Sequence, residues 1–176
     1  MKTVIRLVAA AFVTVLVGAL SQSSGAASPG LQGTYTLDRG ASQDIGKAVD
    51  AVVDQLSFLV RSTARQRLMA ANPLLSRVVI SFAGKNVTIR AGDGAAITTP
   101  TDGTPVDWTQ EDGDEAKVST VWAGAKLVRS VVGRNGTRTN TYGLDPTGKT
   151  LTLEVVLQSS QLPSAVDYRL VFRKSS

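Results

Sequence analysis

From Gln32 to Asp38 the chain alternates, with Leu31, Gly33, Tyr35 and Leu37 on one side and Gln32, Thr34 and Thr36 on the other, the period of a strand with one buried face. After Ser42 the period changes. Ile45, Ala48, Val49, Val52, Val53, Leu56, Leu59 and Val60 recur three and four apart, which predicts an amphipathic helix. Ser42 or Asp44 can cap its start, and Asn72-Pro73 closes a helical region spanning about 42–71, because the residue before a proline is pushed out of the α conformation. Ser57, Ser62 and Thr63 in its middle leave two readings open, one long helix or two shorter ones joined by a turn.

Beyond Pro73 the period returns to two. Val78, Ile80 and Phe82 share a face, and Val87, Ile89 and Ala91 share another after a turn at Gly84. Further short strands are predicted at 96–99, 106–110, 116–122, 126–132, 137–144, 150–158 and 165–174. The last two alternate most cleanly: Leu151, Leu153, Val155 and Leu157 form one apolar row, and Val166, Tyr168, Leu170 and Phe172 another. Asp93-Gly94, Asp102-Gly103, Asp112-Gly113 and Asn135-Gly136 fall between strands, where a positive φ suits a tight reversal. Consecutive strands should then be antiparallel neighbours, and closure into a barrel removes the two exposed edges of such a meander. The expected fold is all-β, an antiparallel up-and-down barrel of about 8–10 strands with one or two helices between the first and second.

The first thirty residues belong to a different pattern. Lys2 and Arg6 precede an uncharged apolar run from Leu7 to Leu20, followed by small and polar residues to Gly30, the layout of a secretory signal peptide with cleavage near Ala26 or Ala27. The run is shorter than the roughly twenty residues of a permanent membrane helix. The expectation is an exported chain, periplasmic or secreted, with residues 28–176 forming a single domain and no stable membrane span. Cysteine is absent, so neither disulfides nor lipid attachment to cysteine is available. The net charge is +5, of which Lys2 and Arg6 contribute two, leaving +3 scattered without a basic run, which argues against nucleic acid as a partner.

A strand carrying Gly33-Thr34-Tyr35, a helical insertion and then a meander of short strands resembles the calycin barrels, above all the fatty-acid-binding proteins. Arg77 to Ser81 and Asn86 to Arg90 look like that family's second and third strands, and Val121-Trp122-Ala123-Gly124 looks like its Lys-Trp-Asp-Gly turn. With its longer helical stretch and its leader, the chain looks more like small exported bacterial members of unassigned role. The resemblance implies a helical lid over a ligand-holding lumen. The family's final-strand Arg-x-Tyr clamp is replaced here by Leu170 and Phe172, while Arg129, between Leu127 and Val131, has the parity of the family's second arginine. The resemblance further implies that Tyr35 closes one barrel end against a last-strand cation, for which Arg173 is the candidate.

Chemistry narrows the choice further. Without histidine or cysteine, the common general bases, thiol nucleophiles and zinc sites are missing, so an enzyme is not expected and neither is a cofactor or metal. Glu111, Asp112, Asp114 and Glu115 around Gly113 lack the ligand spacing of a calcium loop and read as a solvated hairpin tip. The leading expectation is a binding protein for a small hydrophobic or amphipathic molecule, fatty-acid-like or isoprenoid-like. The candidate contacts are Arg129, Leu127, Val131, Tyr168, Leu170, Phe172, Leu153 and Val155 on strands, with Val52 and Leu56 on the lid. Two alternatives stand beside it: a packed barrel serving as a protein-interaction module, and a carboxylate and tyrosine enzyme. Whether Arg129 points inward is open, since Val128 and Val132 make the opposite face equally apolar.

Overall fold

The computed structural model describes residues 30–110 and 113–175. The leader and its cleavage site lie outside the described residues, as do Glu111 and Asp112 of the acidic tip. In chain order the elements are β1 (Gly33–Leu37), α1 (Ile45–Val53), α2 (Phe58–Ala71), β2 (Arg77–Ala83), β3 (Asn86–Ala91), β4 (Ile97–Pro100), β5 (Val106–Thr109), β6 (Glu115–Ala123), β7 (Lys126–Gly133), β8 (Gly136–Leu144), β9 (Thr150–Gln158) and β10 (Val166–Lys174). The ten strands form one antiparallel sheet in the order β4-β3-β2-β1-β10-β9-β8-β7-β6-β5, so the first and last strands pair and the sheet curls into a nearly closed barrel.

Closure depends on a segment that changes partners. Up to Thr101, whose N–H donates to Lys85 O at 2.9 Å, the chain stays with β3 and its turn. From Gly103, whose N–H donates to Thr120 O at 3.0 Å, it follows β6 instead. Asp102-Gly103 therefore marks a crossing of the seam and not a hairpin turn, with Asp102 bridged to Val121. The two-residue reversals are Gly84-Lys85 and Gly124-Ala125, each with its glycine at positive φ, and Arg134-Asn135. Asn135-Gly136 is thus displaced by one residue from the expected turn. Gly136 begins β8 because an added Cβ would run into the Gln158 carbonyl. Gly136→Ala is expected to destabilise the fold by about 1–3 kcal/mol in urea unfolding, and an unchanged midpoint would contradict the close approach.

The helical region is two helices. Asp44 caps α1, accepting from the N–H groups of Gly46 and Lys47, and Ile45, Val49, Val52 and Val53 bury its apolar face against the barrel. The chain turns at 54–57, so Leu59 and Val60 do not continue that face, as the periodicity suggested; they are exposed beside Phe58. Helix α1 packs against α2 and β10, and the C-terminal end of α2 is joined to β8 through Arg138.

At the opposite end, Tyr35 is fully buried and donates to Leu31 O at 2.9 Å. The cation near its ring is Lys174, 5.7 Å from the centroid, and not Arg173, which lies on the outer face and pairs with Asp38 at 2.9 Å. The β8–β9 turn is organised by Asp145, which accepts from Thr147 Oγ1 and from the N–H groups of Lys149 and Thr150 at 2.7–2.9 Å. The Thr147 hydroxyl, followed by those amides, holds the Asp145 carboxyl below its ordinary pKa. A depressed carboxylate contributes stability above its unfolded pKa of about 3.9 and loses it as pH falls through the folded value. Asp145→Asn is accordingly expected to flatten the acid limb of the stability curve below about pH 4, measured by urea unfolding across pH; an unaltered slope would contradict this.

Candidate functional site

Register fixes which side chains share the interior, since residues opposite one another on neighbouring strands point the same way. One inward row runs Thr120, Arg129, Asn140, Val155 and Tyr168 from β6 to β10, and the row toward the far end runs Trp122, Leu127, Tyr142, Leu153 and Leu170. Arg129 points inward.

The far half of the interior is filled. Leu127, Tyr142, Leu151, Leu153, Leu170 and Phe172 are each at most 1 % exposed, so they pack against one another and their neighbours. Of the candidate contacts, Leu127, Leu153, Leu170 and Phe172 are thus a packed floor. Val155 is buried in the row above, Val52 is buried on the inner face of α1, and Leu56 is half-buried in the turn that follows α1. The lid end is different. α1 packs over β10, while on the opposite wall the inward side chains of Ile97, Trp108, Val131, Arg138 and Asn140 remain half-exposed. This less tightly packed stretch of wall, here termed the mouth, is bounded on its inner side by the row that carries Arg129.

Arg129 is 3 % exposed. Its Nε donates to Thr120 Oγ1 at 3.1 Å, and its Nη2 donates to Ile97 O at 3.1 Å and Thr99 Oγ1 at 3.4 Å. Thr99 in turn donates to Thr120 at 2.7 Å, and both threonines are fully buried. The guanidinium therefore sits under the seam, using a β4 carbonyl at the edge where that strand lacks a hydrogen-bonded neighbour. Among the described residues no carboxylate pairs with it and Nη1 makes no hydrogen bond. Burial pulls its pKa below the ordinary value, although an arginine stays charged. Burial raises the pKa of the neighbouring Tyr142 hydroxyl, an effect that the positive charge of Arg129 partly opposes.

A second inward arginine stands at the rim. Arg138 on β8 donates from Nε to Asn140 Oδ1 at 3.1 Å, from Nη1 to Asn72 Oδ1 at 2.8 Å and Ala71 O at 3.2 Å, and from Nη2 to Tyr168 Oη at 3.0 Å. Tyr168 passes its own proton to Asn72 Oδ1 at 3.0 Å. These partners are all neutral. Sequence reasoning placed Tyr168 in the interior but missed Arg138, Asn140, Tyr142 and Asn72.

No family model matches the chain, and no curated protein is similar to it in sequence. Solved structures are similar in shape. Echinococcus granulosus fatty-acid-binding protein 1 aligns with 84 % of this chain and 98 % of its own, at a TM-score of 0.56 and 10 % identity. The Schistosoma mansoni fatty acid binding protein in complex with arachidonic acid aligns over 86 % and 100 %, at 0.56 and 13 %. Human cRBP IV aligns over 82 % and 98 %, at 0.54 and 19 %. The fold is fatty-acid-binding-protein-like. At such identities the likeness concerns the fold alone. Within this fatty-acid-binding-protein-like barrel, Leu170 and Phe172 of the final strand pack the floor, whereas an arginine and a tyrosine meet between strands, as Arg138 of β8 and Tyr168 of β10.

Proposed function

We propose that this barrel binds a small amphipathic organic acid at its lid end, with the carboxylate at Arg129 and the apolar part along Ile97, Trp108 and Val131 beneath the helices. The observation that carries this reading is a guanidinium 3 % exposed with no carboxylate partner among the described residues. A buried charge without a counter-charge costs several kcal/mol, and an incoming carboxylate offsets that cost with charge-assisted hydrogen bonds. The similarity to proteins described as fatty-acid-binding supports the same reading as an analogy. The filled floor limits the ligand to a short or bent chain, or to one that displaces floor side chains. Extraction of the purified protein with organic solvent, followed by mass spectrometry, is expected to yield an organic acid; no extractable ligand would count against it.

A second reading has its own observation. Phe58, Leu59 and Val60 are 79, 76 and 49 % exposed at the start of α2, and a filled floor with an exposed apolar patch is what a packed interaction module needs. An empty extract together with a protein partner whose binding is lost in Phe58→Ser would favour it.

Both readings are of a binding protein and not of an enzyme. We further propose that a leader ending at Ala26 or Ala27 directs export and is removed. The intact mass of the protein recovered outside the cytoplasm should then begin at Ala27 or Ser28, and retention of Met1 would contradict export.

A further inference from the structure

Helix α2 is held mainly by polar contacts to α1, chiefly Arg65 to Asp50 at 2.6 Å, and by few apolar ones. Of its fourteen residues only Leu68 is buried, and no basic residue of its own lies in the last turn. A helix C-terminus carries unsatisfied carbonyls and the negative end of the helix dipole, both of which a cation stabilises. Here the cation comes from the barrel. Arg138 reaches across the mouth from β8, donates from Nη1 to the Ala71 carbonyl at 3.2 Å and to Asn72 Oδ1 at 2.8 Å, and holds Tyr168 of β10 with Nη2. Asn72, 1 % exposed, completes the clasp by donating from Nδ2 to Leu68 O at 2.8 Å and accepting from Tyr168.

We propose that Arg138 is a latch that keeps α2 over the barrel mouth, and that a carboxylate entering the mouth unlocks it. The proposal rests on the reading of the site as one for organic acids. Its chemistry is competition for a fixed set of donors. The oxygens that Arg138 now binds in α2 are neutral, a peptide carbonyl and an amide. A carboxylate accepts from a guanidinium in bidentate fashion, with hydrogen bonds roughly twice as strong as neutral ones. Arg138 is a diagonal neighbour of Arg129 on the same inward face, and Asn140, opposite Arg129, already contacts Arg138 Nε at 3.1 Å. An acid seated at Arg129 is therefore placed to draw Arg138 off Ala71 and Asn72. The C-terminal turn of α2 then loses its cationic cap and, with only Leu68 buried and Met69 half-buried there, lifts, while Arg65 and Asp50 keep the middle of the helix on α1. A neutral alcohol of the same length offers no such competitor, so the latch admits acids in preference to neutral lipids.

Hydrogen exchange read by mass spectrometry, alongside calorimetric titration with octanoate and 1-octanol, tests this on the whole chain. Without ligand, Arg138→Gln is expected to speed exchange of the 58–72 peptide at least tenfold while β9 and β10 are unchanged; Tyr168→Phe, which keeps the ring in place, should speed it about threefold. Unchanged exchange in both variants would overturn the latch. In the wild type, octanoate should bind and speed exchange of the same peptide, and 1-octanol should not. Octanoate binding without faster exchange would overturn the latch and leave the acid-binding reading standing. Absence of octanoate binding would overturn both.

Discussion

Arg129→Met is expected to lower affinity for octanoate about a hundredfold, equivalent to roughly 2.7 kcal/mol, while leaving any binding of 1-octanol within about threefold. Methionine retains much of the side chain's length and apolar volume but removes the inward charge at the base of the mouth. The stability of the unliganded protein should change little. The variant loses the bonds to Ile97 O, Thr99 and Thr120, but it is also relieved of a buried charge that no carboxylate balances. Paired calorimetric and urea measurements separate the two effects. Equal octanoate affinity in wild type and variant would show that Arg129 is only a brace for the seam.

Phe172→Ala is expected to cost about 3–5 kcal/mol and to lower Tm by roughly 10 °C or more, with cooperative unfolding retained. Phe172 is fully buried and lies between Leu37 of β1 and Leu151 of β9, at the pairing that joins the first strand to the last. The ring fills the floor where the two ends of the chain meet, so truncation leaves a cavity that its strand-bound neighbours cannot easily close. A loss below about 1 kcal/mol would mean that the floor is loosely packed and open to a ligand after all.

These two residues differ in how legible they were. Phe172 could be read from sequence because β9 and β10 alternate apolar with polar along their length, so parity alone assigns the inward face. The same logic fails on β8, where Arg138 and Asn140 face in while Thr137, Thr139 and Thr141 face out. Toward the lid both faces are polar, and a period of two carries no direction. Arg129 was ambiguous for the converse reason, with Val128 and Val132 apolar on the outside; only its register with Thr120 and Asn140 resolves it.

The helical insertion shows the same limit. Leu59 and Val60 keep the period of α1, but the turn at 54–57 rotates them out of its face. The Asp-Gly and Asn-Gly pairs announced a meander correctly, yet Asp102-Gly103 crosses the seam and Gly136 answers to a neighbouring carbonyl, constraints set by tertiary approach and not by local turn chemistry. Asn72, legible only as a helix terminator, also joins the end of α2 to the barrel, because Arg138 and Tyr168, distant in sequence, both donate to its side chain.

A ligand carboxylate received by the buried Arg129 guanidinium would carry a signature of its own. The most direct test is the carboxyl 13C resonance of labelled octanoate followed against pH in the presence of the protein. A carboxylate within about 4–6 Å of a cation has its pKa lowered by roughly 1–3, against the opposing effect of burial. A bound resonance distinct from that of free octanoate is expected, titrating well below the free acid and lost in Arg129→Met. A bound resonance that titrates with the free acid, or one that survives unchanged in the variant, would contradict it.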